Sequence, residues 1–142
     1  MSQPETPTIQ TEVQVMFFDT DCGGVVHNIA YLRFIEIART LLAEQLGMKL
    51  VNMAESALYP VVVRTEIDYR KPARLGDKLL VNGRLDAVGR MRFRCAFEIV
   101  RPADGALIAE SRQSLAVIQM PQGKPVRLPQ DWSTRFAHLR GM

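Results

Sequence analysis

The segment FFDTDCGGVVHNIAYLRFIEIAR, residues 17–39, joins a polar loop to a long apolar helix. Its second half places apolar residues three and four positions apart, which predicts a helix wrapped by other structure over much of its circumference. The helix is expected to begin with Asn28 as its N-cap and to stop at Gly47. The first half holds two aspartates, two glycines, a histidine and an asparagine, although a helix start requires one capping residue. The loop is therefore either an elaborate cap or a site held at the helix N-terminus.

One strand is predicted before this helix and four after it. The first is EVQVMFF from Glu12, in which Val13, Val15 and Phe17 alternate on one face. The later four are PVVVRTEIDYRKP, KLLVNGRLD, MRFRCAFEIV and LIAESRQSLAVIQ, and their short connections imply antiparallel pairing. The proline-punctuated tail PQGKPVRLPQDW is expected to leave the sheet. The predicted fold is α+β: an antiparallel five-stranded sheet wrapped around one long central helix.

Length and composition support one folded domain. The chain has 142 residues, enough to bury a core, and we expect a flexible tail at 1–11 and a single domain at 12–142. Cys95 falls in an apolar alternation and is predicted to be a small core residue. The aromatic residues predicted to lie in the core are Phe17, Phe18, Phe34, Phe93 and Phe97.

Hydropathy, net charge and cysteine content argue against several classes of function. No apolar run reaches the roughly 18 residues of a membrane span, and the N-terminus lacks the regions of a signal peptide, so we predict a cytoplasmic protein. The net charge of +3 comes with scattered arginines, which argues against nucleic acid as a partner. Two cysteines exclude a disulfide framework, and no Cys/His spacing predicts a metal site.

The loop before the helix carries groups suited to acyl hydrolysis. A helix N-terminus presents unpaired N–H groups and the positive end of the macrodipole, which favour an oxygen that gains negative charge. Asp19 and Asp21 supply carboxylates there, and a carboxylate acts as a nucleophile or as a general base. Aspartate, glycine and asparagine are also ordinary loop residues, so spacing alone leaves both interpretations open.

The pattern D-T-D-x-G-G-V-V-H-N-x-x-Y-L-x-F-x-E-x-A-R resembles the signature of hotdog-fold acyl-CoA thioesterases of the 4-hydroxybenzoyl-CoA thioesterase and YbgC type. The resemblance extends over about residues 12–132 and includes IDYRKPARLGD at 67–77. The segments GDKLLVN and LPQDW are similar to the 1,4-dihydroxy-2-naphthoyl-CoA hydrolase branch. The resemblance implies a hotdog fold, with the helix inside the sheet. It also implies homodimers or homotetramers with substrate clefts between subunits.

The same resemblance implies roles for particular residues. Asp21 corresponds to the catalytic carboxylate, and the backbone N–H at about Asn28 corresponds to the oxyanion donor. This chain has Phe17 where such proteins usually carry tyrosine, and its histidine, His27, stands one position before the usual place. His27 is therefore either a catalytic, ligand-facing group or a packed neutral residue. Glu36 on the helix is the alternative catalytic carboxylate.

The implied reaction is hydrolysis of an acyl-CoA or aroyl-CoA, with no metal or redox cofactor and with coenzyme A as part of the substrate. Arginines are expected near the CoA phosphates. The residues predicted to bind substrate are Gly24, Val25, Tyr31, Arg90 and Arg92. Two alternatives remain open: a thioesterase for acyl carrier protein thioesters and a non-catalytic acyl-CoA-binding module.

Overall fold

The long helix lies against one face of an antiparallel sheet. In this computed structural model, which describes residues 6–142, helix α1 spans Asn28–Gln45. The buried face of α1 consists of Ala30, Tyr31, Phe34, Ile35, Ala38 and Leu42. Gly47 follows with φ of 86°, a left-handed conformation that ends the helix as predicted. None of the helices in the described range is long and apolar enough to cross a membrane.

The sheet contains six strands within the described part of the chain, all paired antiparallel. Their bounds are β1 (Thr8–Gln14), β2 (Leu58–Tyr69), β3 (Lys78–Val88), β4 (Arg92–Arg101), β5 (Ala106–Gln119) and β6 (Lys124–Val126). The spatial order is β1-β3-β4-β5-β2, and β6 pairs with the end of β5. The remaining elements are two short α-helices, α2 (Leu50–Ser56) and α3 (Trp132–Arg135), and two 3-10 turns at Phe17–Asp19 and Ala137–Leu139. The predicted α+β class and helix-on-sheet arrangement are confirmed.

The core lies between α1 and the inner face of the sheet. Strand β4 alternates as predicted, and its residues Phe93, Cys95, Phe97 and Ile99 are buried. Each large apolar side chain buried in this way stabilises the fold by about 1.5–3 kcal/mol. Burial raises the pKa of the Cys95 thiol to about 12, so this thiol stays protonated and unreactive. The predicted core role of Cys95 is confirmed.

The prediction that the proline-rich tail leaves the sheet is wrong at Lys124–Val126, which forms β6. The reason is the unequal length of β4 and β5. Strand β4 starts at Arg92 opposite Ala116, so residues 117–119 of β5 extend beyond it. β6 pairs with these three residues, which satisfies backbone groups that would otherwise form an open edge.

The first strand begins at Thr8, four residues before the predicted start at Glu12. Residues 8–11 of the predicted tail therefore pair with β3, beginning with Thr8 opposite Arg84. Residues 1–5 of that tail lie outside the described residues. Polar residues obscured this strand because β1 is an edge strand, with most of its side chains exposed or half-buried.

The placement of Phe17 and Phe18 in the core is wrong: their side chains are 81% and 70% exposed. Strand β1 stops at Gln14, and residues Phe17–Asp19 form a 3-10 turn instead of continuing the alternation. The turn is closed by the Asp19 N–H, which donates to the Met16 carbonyl at 2.9 Å. It turns Asp19 inward and both phenylalanine side chains toward solvent.

Candidate active site

Asp19 is the anchor of the loop between β1 and α1. Its side chain is 1% exposed and forms an ion pair with the Arg33 guanidinium. Its Oδ2 accepts the Met16 N–H at 2.9 Å, and its carbonyl accepts the His27 N–H at 3.0 Å. A buried carboxylate is stable only when paired and hydrogen-bonded in this way. Asp19 therefore holds the loop through its hydrogen bonds and its ion pair with Arg33.

Asp21 lies in a tight exposed turn. Its N–H donates to the Val25 carbonyl at 2.9 Å, and its carbonyl accepts the Gly24 N–H at 3.1 Å. Its Oδ1 accepts the Gly23 N–H at 2.7 Å. Gly24 closes the turn with φ of 79°, a conformation that favours glycine. The Asp21 Oδ2 accepts no hydrogen bond from the described residues, so one carboxylate oxygen faces solvent without a protein partner.

His27, not Asn28, is the N-cap of α1, which corrects the sequence prediction. Its Nδ1 accepts the Ala30 N–H at 3.1 Å, so Nδ1 carries no proton. Its Nε2 lies 3.3 Å from the Phe18 carbonyl, which only accepts, so the tautomer with the proton on Nε2 satisfies both contacts. Both ring nitrogens of His27 are therefore engaged with backbone. The capping role predicted for Asn28 therefore belongs to the His27 side chain.

Asn28 becomes the first residue of the helix, where backbone N–H groups lack intrahelical acceptors. Within residues 6–142, no acceptor meets the Asn28 N–H, and its carbonyl accepts the Tyr69 hydroxyl at 3.4 Å. The positive end of the α1 macrodipole adds to this donor. A cleft of about 310 Å³ opens here, lined by Val26, Asn28, Tyr31, Tyr69, Arg70, Lys71 and Pro72. This arrangement can hold a carbonyl oxygen that gains negative charge.

Tyr31 forms part of the cleft wall and is 4% exposed. Its hydroxyl accepts the Ala73 N–H at 3.1 Å, and its ring centroid lies 5.5 Å from that of Tyr69. Burial raises the pKa of the Tyr31 phenol, so the hydroxyl stays neutral. Tyr31 thus lines the cleft and holds the segment that carries Ala73, while its contact with substrate stays a prediction.

Residues 70–77, which connect β2 to β3, form a second wall, and they include Arg70, Lys71 and Arg74, which rank after Arg90 and Arg92 as predicted contacts for the CoA phosphates. The Ala73 carbonyl accepts the Val26 N–H at 2.9 Å, and Val25 forms a bridge with Arg74. The Leu75 N–H donates to the Gly24 carbonyl at 3.4 Å. The backbones of the predicted substrate-binding residues Gly24 and Val25 are therefore held by this connection. Neither residue lines the cleft beside Asn28, and Asp21 does not line it either.

Glu36, the alternative carboxylate, lies on the exposed side of α1. Its side chain is 64% exposed, with Arg39 Nη2 3.8 Å from its Oε1. This loose ion pair with Arg39 is an ordinary contact of an exposed helix carboxylate. It is two helical turns from the first residue of α1.

Arg90 and Arg92 lie far from Asp21 within one chain. β3 leaves the loop region at Lys78, which pairs with Gln14, and reaches the Arg90 turn after 11 residues, roughly 36 Å of strand. One protomer therefore does not bring these arginines and the candidate carboxylate together.

Arg90 lines a different cleft of about 740 Å³, together with Arg127 and Arg140. No aspartate or glutamate is among its lining residues, and none of the three arginines has an ion-pair partner in the described range. Arg127 and Arg140 were missed because they reach this cleft only when the C-terminal segment folds back. The buried Trp132 anchors that segment, with its ring centroid 5.4 Å from Phe93.

Comparison of the chain with known proteins shows the family to which it belongs. A sequence model of the thioesterase-like superfamily matches residues 15–136. Because the match covers most of the chain, this protein belongs to the thioesterase-like superfamily.

Individual relatives narrow the position within that family. The 1,4-dihydroxy-2-naphthoyl-CoA hydrolase of Synechocystis is 33% identical over 93% of this chain and 96% of the relative. The acyl-CoA thioesterase YbgC of Haemophilus influenzae is 30% identical over 90% of this chain and 93% of the relative. The crystal structure of a 1,4-dihydroxy-2-naphthoyl-CoA thioesterase from Synechocystis superposes with a TM-score of 0.79 at 31% identity, covering 93% of this chain and 97% of the other. The predicted family and hotdog fold are confirmed, and thioester hydrolase is the enzyme class for which these relatives are named.

Proposed function

We propose that this protein hydrolyses an acyl-CoA or aroyl-CoA thioester to the free acid and CoA. The observation that supports the proposal is that one loop carries a carboxylate and, at its end, the first N–H groups of α1. Among the described residues, the Asn28 N–H has no acceptor and Oδ2 of the exposed Asp21 carboxylate accepts no hydrogen bond. A donor for the carbonyl oxygen and a carboxylate are the two groups that acyl hydrolysis requires.

In the proposed reaction the Asn28 N–H and the α1 dipole stabilise the thioester oxygen as the carbonyl carbon becomes tetrahedral. The Asp21 carboxylate either attacks that carbon or takes a proton from water that attacks it. The C–S bond then breaks, and the thiolate leaves and takes up a proton to become CoA. If Asp21 attacks the carbon, water then hydrolyses the acyl–Asp21 anhydride; if Asp21 acts as the base, the attacking water itself supplies the oxygen of the product acid. The proposed contribution of His27 is indirect, because its ring holds the first turn of α1.

A second copy of the chain completes the proposed substrate site. β2 is a twelve-residue edge strand, and Val62 and Val63 on it are 40% and 43% exposed. Antiparallel pairing of two such edges reverses the second sheet end for end. The β3–β4 turn of the second copy then lies at the same end as Asp21 of the first copy. Its β4 is three strand spacings, or roughly 15 Å, from β2 of the first copy. Arg90 of the partner subunit and Arg92 of the partner subunit would then meet the CoA phosphates.

The first test is free-thiol release from a panel of short-chain, long-chain, benzoyl and hydroxynaphthoyl CoA thioesters. We expect Asp21→Asn to lower kcat by about 10²–10⁴-fold, because it removes the nucleophile or general base. Glu36→Gln is the matched control and should keep wild-type kcat. Loss of turnover in Glu36→Gln with retention in Asp21→Asn would assign the reaction to the helix carboxylate instead. Binding of every thioester without turnover by wild type would favour a non-catalytic binding module.

A further inference from the structure

One peptide group beside the cleft is hydrogen-bonded on both of its sides. Its carbonyl, on Pro72, accepts Arg101 Nη1 at 3.1 Å. Its N–H, on Ala73, donates to the Tyr31 hydroxyl at 3.1 Å. Ala73 is fully buried, and its own carbonyl accepts the Val26 N–H at 2.9 Å. Val26 precedes Asn28 by two residues, so this peptide is linked directly to the start of α1.

Arg101 also holds the far end of the same connection. Its Nη1 donates to Asp77 Oδ2 at 3.0 Å, and the Asp77 carbonyl accepts the Val15 N–H at 2.8 Å. Asp77 Oδ2 also accepts the Arg74 N–H at 2.9 Å. Two further hydrogen bonds join the Arg101 guanidinium to Asp104, at 3.1 and 2.9 Å. The Arg101 side chain is only 19% exposed, so these contacts are partly shielded from solvent.

We propose that Arg101 is a positioning residue for the thioesterase site and acts through the Pro72–Ala73 peptide and Asp77. This inference rests on the proposed function of Asp21 and Asn28. Arg101 touches neither of them and forms no part of the cleft lining. It holds residues 72–77 in place, and that segment holds residues 24–26 immediately before the helix.

Two physical effects explain how the contacts of Arg101 with Pro72 and Asp77 would influence the rate of the reaction. A charged donor on the Pro72 carbonyl polarises the peptide, which strengthens the Ala73 N–H as a donor to Tyr31. Loss of the Arg101 guanidinium would therefore loosen both the 70–77 segment and the start of α1, because Ala73 is hydrogen-bonded to Tyr31 and to Val26. A displacement of about 1 Å in a catalytic group can lower a rate by roughly a hundredfold.

The test compares Arg101→Met and Arg101→Lys with Arg94→Met. Arg94 is the matched control because it lies on the same strand and bonds Asp86 at 2.7 Å, with no hydrogen bond or ion pair to residues 70–77. Amide hydrogen exchange of Val26 and Ala73 is measured with kcat and KM. For Arg101→Met we expect exchange at both amides at least about tenfold faster. We also expect kcat 10–100-fold lower, with KM within about twofold. Arg101→Lys should recover part of kcat.

Unchanged exchange and kcat in Arg101→Met would overturn the inference. An equal acceleration of exchange in Arg94→Met would also overturn it, because it would show general destabilisation. The proposed function has a separate failure: wild-type protein that turns over no thioester. In that case the exchange at Val26 and Ala73 still decides whether Arg101 holds the connection.

Discussion

Asp19 and Asp21 are two residues apart, yet their carboxylates have opposite environments. Asp19 is buried against Arg33 and accepts a backbone N–H, whereas Asp21 is exposed and its Oδ2 accepts no hydrogen bond from residues 6–142. The 3-10 turn at Phe17–Asp19 produces this difference, because it turns the first carboxylate inward and leaves the second on the following turn. The buried carboxylate holds the loop, and the exposed one is available for chemistry.

Loss of the Arg33 guanidinium should therefore be costly. We expect Arg33→Met to lower the free energy of unfolding by about 3 kcal/mol, because Asp19 would remain buried without its ionic partner. Denaturant unfolding measures this change. Arg64→Met is the control, since Arg64 and Glu66 form an exposed pair that should contribute less than about 1 kcal/mol. Equal effects of the two substitutions would contradict the structural role of the Asp19 pair.

Helix α1 owes its position to groups at both of its ends. His27 caps its N-terminus through a ring nitrogen, and Gly47 ends it in a left-handed conformation. Between them, the buried face packs on the sheet and fixes where the first free N–H lies. The element thereby presents the Asn28 N–H at the cleft, which is the property that the proposed reaction uses.

Two substitutions separate a capping role of His27 from a catalytic one. His27→Ala should lower the free energy of unfolding by about 1 kcal/mol, because the Ala30 N–H loses its acceptor. His27→Asn should keep most of that stability, since asparagine is a favourable N-cap. We expect kcat of His27→Asn to stay within about twofold of wild type if the ring only caps. A fall in kcat as large as that of Asp21→Asn, in a stable His27→Asn protein, would show that the imidazole acts in the reaction.

The whole molecule separates the candidate carboxylate from the arginine cleft. Asp21 lies at one end of β3 and Arg90 at the other, and the open edge of β2 is where a second copy can bring the two ends together. Homodimer formation is therefore part of the proposed function, while the homotetramer and the cytoplasmic location remain predictions.

Arginine substitutions test this shared site. We expect Arg90→Gln to raise KM about tenfold for CoA thioesters, because one charged phosphate contact is lost. KM for N-acetylcysteamine thioesters, which lack phosphates, should not change. Arg112→Gln, which removes an exposed arginine from β5, is the control. An equal rise of KM for both substrate types would exclude phosphate binding by Arg90.

Hybrid dimers test whether the site is shared between subunits. Asp21→Asn and Arg90→Gln chains are mixed and allowed to exchange subunits. One of the two sites in each hybrid then combines an intact Asp21 with an intact Arg90 of the partner subunit. Activity at low CoA thioester concentration should rise above the average of the two parent proteins. No rise, despite subunit exchange shown by mass measurement, would place both residues in the same chain's site.

Sequence alone determined the class of fold, the central helix and the family. The signals are local: alternation in β4, helical spacing after Asn28 and the pattern around Asp21. Local signals are enough to predict a helix or strand when buried residues repeat with the period of that element. The polar edge strand β1 and the short β6 escaped because their pairing depends on partners distant in the chain, not on their own composition. The tail was expected to be free at Lys124–Val126 for the same reason.

Tertiary structure decided which polar groups do what. His27 rather than Asn28 caps the helix, because the choice depends on where the ring reaches across to Ala30 and Phe18. Asp19 is buried because a 3-10 turn interrupts the strand alternation. Arg101 reaches Pro72 from 29 positions away, and Arg127 reaches the Arg90 cleft only after the chain folds back. Hydrogen-bond partners across such separations are set by packing of the whole chain, which no sequence window contains.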